Sequence, residues 1–297
     1  MKAKLLLAAA AVALLGTMAA NAQQRVHPPI TNKEWETPFP AFKIVGNFYY
    51  VGTYDLGCYL ISTNQGLILI NSGAPGSFPL IKANIEQLGF KLTDIKIITS
   101  THGHWDHVGD LAEFKRISGA KMLMNERDSD VVESGGNIDY RRPEGRGIIY
   151  DPLKVDQRLK DGDKFKLGQT ELTVHFSPGH TKGATSFTFQ VQDAGKTYNV
   201  LIANMPGINA GVKLLTSPGY PTVSQDFAYT IADLKKMTPD LWVSSHAGQF
   251  NLHKVYKPGD AYNPARFGDL AAYRAKLDGY DKAYQKQLAE ERQAKAN

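Results

Sequence analysis

Thr101-His102-Gly103-His104-Trp105-Asp106-His107 places four side chains of metal-ligand type within six positions, and the fold is read outward from it. His102 and His104 are one residue apart, so on an extended backbone both imidazoles point to the same side, where they can take adjacent corners of one metal ion. The plainer alternative is four polar groups capping a helix and facing water, and this density of imidazole and carboxylate argues against it. Just upstream, Ile95-Lys96-Ile97-Ile98 is a short β-branched run suited to a buried strand. Downstream, Leu111, Phe114 and Ile117 mark the apolar face of a helix, and Asp106 and His107 are expected in its first turn. The segment therefore sits at the C-terminal end of a strand, where a helix begins.

Further upstream, 47–51, 59–62 and 66–70 read as strands joined by turns, followed by a helix from about Phe78 with Ile81, Ile85 and Leu88 on one face. Downstream come a strand at Met122–Met124, two strands within Asp161–Phe176, and a hairpin turning at Asp193-Ala194-Gly195. Phe227, Ile231 and Leu234 mark another helix, and Leu241–Val243 another strand. The apolar series Phe267, Leu270, Tyr273, Leu277, Tyr280 and Tyr284 predicts a long C-terminal helix. Strands come in two groups, each followed by helix, which predicts an α+β protein with two packed sheets and helices outside. The Gly/Pro-rich stretch Pro206–Pro221 is a loop long enough to be functional.

The remaining histidines divide by position. His180 follows the strand ending at Phe176, and His246 follows Leu241–Ser245, so both lie at strand ends, as His102 does. They complete two sets of three donors: His102, His104 and His180 for one Zn2+, and Asp106, His107 and His246 for a second. His175 alternates along a strand, His253 opens a helix and His27 lies in the N-terminal segment; all three are read as structural. Cys58, in the apolar stretch Cys58-Tyr59-Leu60-Ile61, is read as a buried strand residue and not as a ligand.

The 297 residues, 42% hydrophobic and 21% charged, suffice for a sizeable core without disulfides. Lys2 and Lys4, the apolar run Leu5–Leu15 and the small residues of Ala20-Asn21-Ala22 form the pattern of a cleaved signal peptide over 1–22. That leaves one domain over 23–297, with a periplasmic or secreted location and no membrane anchor, since the apolar run is shorter than a spanning helix requires. Removing Lys2 and Lys4 takes the formal charge from +5 to +3, and no basic block remains to bind nucleic acid.

The His-x-His-x-Asp-His segment, with His180 and His246 following in order, resembles the signature of the metallo-β-lactamase superfamily. The resemblance implies a four-layer αβ/βα sandwich with a zinc site at one edge of its two sheets. Many members place a metal-bridging aspartate, or a cysteine ligand, where this chain reads Leu201-Ile202-Ala203-Asn204-Met205-Pro206. With neither present there, the chain looks like subclass B3, whose ligands are three histidines plus an Asp-His-His set. Thr53-Tyr54-Asp55, Ile81–Ile85, His180-Thr181-Lys182-Gly183 and Tyr262-Asn263-Pro264 are similar to the GOB-type enzymes. Those enzymes typically carry glutamine at the place of His102, and many B3 members have a serine near Met205, so this chain departs from both patterns.

The function implied is zinc-dependent hydrolysis of the β-lactam amide of penicillins, cephalosporins and carbapenems by a monomer, with Asp106 as the catalytic group orienting the nucleophilic water. Trp105, Ser217 and Lys213 are candidate substrate contacts, although Lys213 reads equally as a solvated surface charge. A hydrolase of lactones, esters or thioesters with the same fold is the alternative, and a zinc-binding protein without activity the non-enzymatic one. Three protein ligands per metal leave positions open, as catalytic sites do, whereas structural zinc is closed by four.

Overall fold

The computed structural model describes residues 25, 26, 30, 32–142 and 147–296. Residues 1–22, expected from the sequence to be a signal peptide, and His27 lie outside the described residues.

The first half builds a seven-stranded sheet in chain order: β1 (Phe42–Val45), β2 (Phe48–Tyr50), β3 (Tyr59–Thr63), β4 (Gly66–Ile70), β5 (Ile95–Thr99), β6 (Lys121–Asn125) and β7 (Gln157–Leu159). The first four pair antiparallel, and β4 to β7 pair parallel through crossovers. Those crossovers hold α1 (Phe78–Gln87), α2 (Trp105–Val108), α3 (Leu111–Ser118) and α4 (Glu126–Glu133). The second sheet has the order β12-β11-β10-β9-β8, built from β8 (Lys164–Leu167), β9 (Thr170–Phe176), β10 (Thr185–Asp193), β11 (Lys196–Ala203) and β12 (Leu241–Ser244). Around it lie α5 (Val223–Leu234), the short α6 (Leu252–Val255) and α7 (Leu270–Ala296).

Strand alternation creates the layers. On β4, Ile68 and Ile70 face the core shared with Leu172, Val174, Phe187 and Phe189 of the second sheet. Leu67 and Leu69 face the other way, into a cluster with Ile81, Ile85, Leu111 and Phe114 of α1 and α3. A strand covered on both faces must be apolar at successive positions, and Leu67-Ile68-Leu69-Ile70 is. Each such side chain taken fully out of water contributes about 1.5–3 kcal/mol. The result is the four-layer αβ/βα sandwich expected from the sequence.

Two local expectations are corrected, and two elements had no counterpart in the sequence reading. Asp106 and His107 do not share a helix with Leu111 and Phe114: α2 stops at Val108, and α3 starts after Asp110, whose backbone is non-helical (φ −120°, ψ 13°). The reason lies in the N–H groups of Gly109 and Asp110, which donate to Gly73 O and Ser72 Oγ, both at 3.0 Å, and so leave the helical ladder. Phe267 belongs to a separate 3-10 turn, Pro264–Phe267, ahead of α7. Finally, α4 and β7 carry too little apolar periodicity to have been read from sequence. Pro206–Pro221 is a loop, as expected; α7 pins it, with Glu291 accepting from Leu214 N and Leu215 N at 2.9 Å each.

Among the described residues no helix is long and apolar enough to cross a membrane.

Candidate metal centre

All the candidate ligands follow strand ends that meet at one edge of the sandwich. His102, His104, Asp106 and His107 follow β5, His180 follows β9 and His246 follows β12. Asn71, with a left-handed backbone (φ 65°), accepts through Oδ1 from Thr101 N and from the Ser100 hydroxyl, both at 2.9 Å. From the second sheet, Thr185 N and Asn204 Nδ2 donate to Thr101 O at 2.7 and 2.8 Å. Thr101 thereby fixes the start of the histidine segment to both sheets.

Two donor clusters result. One ligand-type atom each from His102, His104 and His180 can be chosen so that all lie within 4.8 Å of one another, and the same holds for His102, Asp106 and His107. His246 joins the second cluster from the end of β12: Asp106 Oδ2, His107 Nε2 and His246 Nε2 form a triangle with edges of 3.3, 3.2 and 3.6 Å. Zinc bonds of about 2.0–2.2 Å in a tetrahedron require donors about 3.3–3.6 Å apart. Two edges of the triangle lie in that range, and the third, at 3.2 Å, lies just below it. In the first cluster, His104 Nδ1 and His180 Nε2 are 3.1 Å apart.

The outward-facing nitrogens identify the tautomers. His180 Nδ1 donates to Gly207 O at 2.7 Å, His246 Nδ1 faces Asp55 Oδ2 at 2.9 Å and His104 Nε2 faces Asp139 Oδ2 at 3.2 Å. With protons on those atoms, the inner nitrogens present lone pairs to one another at close range, an arrangement that repels unless a cation lies between them. His102 Nε2 is buried without a hydrogen-bond partner, a cost that metal ligation removes. The donor set therefore fits a metal ion.

The charge states of His102, His180 and Asp106 agree. Burial and the neighbouring imidazoles hold His102 well below the ordinary histidine range, and burial with His104 takes His180 down to about 3. Both stay neutral, as a ligand must. Burial opposes ionisation of Asp106, but His107 and His246 override it and keep the carboxyl below its usual range. Burial likewise opposes charge on His246, and Asp55 and Asp106 reverse the balance and raise it.

The other sequence candidates separate. Trp105 is half-buried beside the cluster, with its ring edge-on to Trp35 at 5.3 Å between centroids. Lys213 and Ser217 line a cavity of about 390 Å³ with Tyr140 and Arg141, and the Ser217 hydroxyl donates to Lys213 O at 2.8 Å. Met205, 1% exposed, packs into the core between the sheets, so its side chain takes no part in a polar site. Cys58 is buried in strand-side packing, and His175 and His253 make only structural contacts, to Thr188 Oγ1 and Tyr54 O.

Sequence reading missed the supporting polar groups. Asp139 and Trp35 carry no local signal, because Asp139 earns its place from His104, 35 residues away, and Trp35 from Asp55, 20 residues away. Asn204, which meets His102 across 102 residues, was visible only within the segment Leu201–Pro206. Asp55 was visible only as part of a resembling segment.

Comparison with known proteins gives the family. The pattern described as "Metallo-beta-lactamase superfamily" matches residues 58–194. Among curated proteins, the uncharacterized protein YobT of Bacillus subtilis is 30% identical over 47% of this chain and 59% of its own length. A hydroxyacylglutathione hydrolase of a Bradyrhizobium species is 30% identical over 41% of this chain and 38% of its own length. The chain thus spans roughly two fifths to three fifths of these curated relatives. Solved structures match far more completely. The metallo-β-lactamase GOB-18 from Elizabethkingia meningoseptica is 45% identical, with a TM-score of 0.88 over 91% of this chain and 99% of that one. A β-lactamase from Chitinophaga pinensis is 48% identical, with a TM-score of 0.86 over 89% and 99%. The class B3 di-zinc enzyme LRA-12 from an Alaskan soil metagenome is 46% identical, with a TM-score of 0.86 over 88% and 99%. With its histidine segment at the edge of two sheets, and with this identity over nearly the full length of solved members, the chain belongs to the metallo-β-lactamase superfamily, on its B3 branch.

Proposed function

We propose that this protein is an exported β-lactamase that hydrolyses the amide of penicillins, cephalosporins and carbapenems with two zinc ions. His102, His104 and His180 would hold one ion, and Asp106, His107 and His246 the other. The observation that carries the reading is the pair of three-donor sets at one sheet edge, in a chain 45–48% identical to solved β-lactamases over 99% of their length. Export is supported by the basic, apolar and small-residue pattern of 1–22.

Zinc bound at such a site acidifies water to a pKa of about 7 and polarises a carbonyl. The chain's own groups supply position. Asp106, kept ionised by His107 and His246, accepts a hydrogen bond from the attacking water and fixes its direction. Water oxygen bonds to the lactam carbonyl carbon, the C–N bond breaks, and the nitrogen takes up a proton to give the ring-opened amino acid. Trp105 and Trp35 form an apolar wall, and Lys213 and Ser217, along the cavity that reaches Arg141, are assigned to the substrate carboxylate.

Thioester hydrolysis is the second reading, favoured by the partial likeness to hydroxyacylglutathione hydrolase. Against it, the position after β11 holds Asn204, whose Nδ2 donates to a backbone carbonyl, and so brings no bridging carboxylate. The deciding experiment follows the ultraviolet absorbance of a carbapenem on addition of purified mature protein, with and without a chelator. Fast loss abolished by the chelator is expected. Zinc-loaded protein that leaves carbapenem, penicillin and cephalosporin intact would overturn the proposal and favour the thioester.

A further inference from the structure

One buried carboxylate outside the six candidate ligands joins the two loops that carry three of them. Asp128, on α4, is 2% exposed. Its Oδ2 accepts from Gly103 N at 2.9 Å and from the Thr181 hydroxyl at 2.6 Å, and its Oδ1 accepts from Gly183 N at 2.7 Å. Gly103 separates His102 from His104, and Thr181 follows His180 directly. The Tyr150 hydroxyl donates to Gly103 O at 2.8 Å, so both backbone polar groups of the residue between the two histidines are fixed. The approach is close enough to require glycine. A Cβ at position 183 would fall 2.5 Å from Asp128 N and 2.7 Å from Asp128 Cβ.

We infer that Asp128 is a positioning residue that sets the spacing of His102, His104 and His180, and through it the zinc affinity of that half of the centre. This rests on the reading of those three histidines as one metal site. The chemistry of the clamp is specific to a carboxylate. Two acceptor oxygens serve three donors, whereas asparagine must turn its NH2 toward either Gly103 N–H or Gly183 N–H, donor against donor. No hydrogen bond among the described residues links Asp128 to Asp106, His107 or His246, so its effect falls on one site. Groups that orient metal ligands from behind typically change metal affinity 10–100-fold when replaced.

The test titrates zinc into the metal-free full-length mature protein against a competing chelator, resolving two binding steps. His246→Ala identifies which step belongs to the Asp106 set. Asp128→Asn is expected to weaken the three-histidine step about 10–100-fold and leave the other unchanged. Thr181→Val, which removes one donor and keeps the carboxylate, should weaken the same step by less. Wild-type affinity at the three-histidine step in Asp128→Asn, or equal weakening of both steps, would overturn the inference. If Asp128→Asn does not fold, Thr181→Val decides by the same two criteria. Wild-type protein that binds two zinc ions and hydrolyses no β-lactam would count against the proposed substrate and leave the clamp standing.

Discussion

Asp55 Oδ2 lies 2.9 Å from His246 Nδ1, on the opposite side of the ring from the Nε2 that faces Asp106 and His107. The same oxygen accepts from Trp35 Nε1 at 3.0 Å, and Gly248 N donates to the other oxygen at 3.2 Å. Asp55 therefore fixes the rotation and tautomer of His246, and Trp35 fixes Asp55.

Asp55→Ala should release that ring. Zinc affinity of the Asp106-His107-His246 set is expected to fall about 10–100-fold, with the three-histidine set unaffected, as read by chelator competition. Trp35→Phe, which keeps the apolar contact and loses the N–H, should give a smaller loss in the same step. Full zinc affinity in Asp55→Ala would refute this role.

Metal should also stabilise the fold. A ligand that binds only the native state adds about 2.7 kcal/mol when its concentration is 100 times Kd. Thermal melting of the metal-free protein should therefore shift upward with added zinc and return with chelator. A melting temperature independent of zinc would show that the donor clusters do not bind it in the native state.

Gly109 seats α2 on Ala74-Pro75, and an added Cβ would lie 2.3 Å from Pro75 N and 2.4 Å from the Ala74 carbonyl carbon. Both contacts are to rigid groups. Gly109→Ala is expected to cost about 1–3 kcal/mol in urea unfolding, in the range of overpacked cores. Because α2 carries Asp106 and His107, zinc binding should weaken along with stability. A stability equal to wild type would mean that the two segments separate at little cost.

Cys58 is fully buried, and burial pushes its thiol well above the usual range. With so little thiolate at pH 8, the native protein should not react with a disulfide reagent, and labelling should follow global unfolding as denaturant rises. Stoichiometric labelling within seconds of mixing with folded protein would contradict the packing around β3.

The sequence by itself determined the parts that are local. Spacing within 102–107 is short enough that backbone periodicity alone places the imidazoles together, and the unbroken apolar run Leu67–Ile70 and the alternation in 172–176 announce strands buried on both faces and on one. His180 and His246 could be nominated because each follows a strand, a property of neighbouring residues. What only the tertiary structure decided are the relations between distant segments. Asp128 meets Thr181 and Gly183 across more than fifty residues, Asp55 meets His246 across 191, and Asn204 meets Thr101 across 103. A lone aspartate or asparagine has the same local pattern whether it faces water or holds a ligand loop, because its role is set by the partner that packing delivers. The break between α2 and α3 is of the same kind: helical periodicity continues through Gly109, and it is the Gly73 carbonyl and the Ser72 hydroxyl, brought in from a distant segment, that take the Gly109 and Asp110 N–H groups out of the helix.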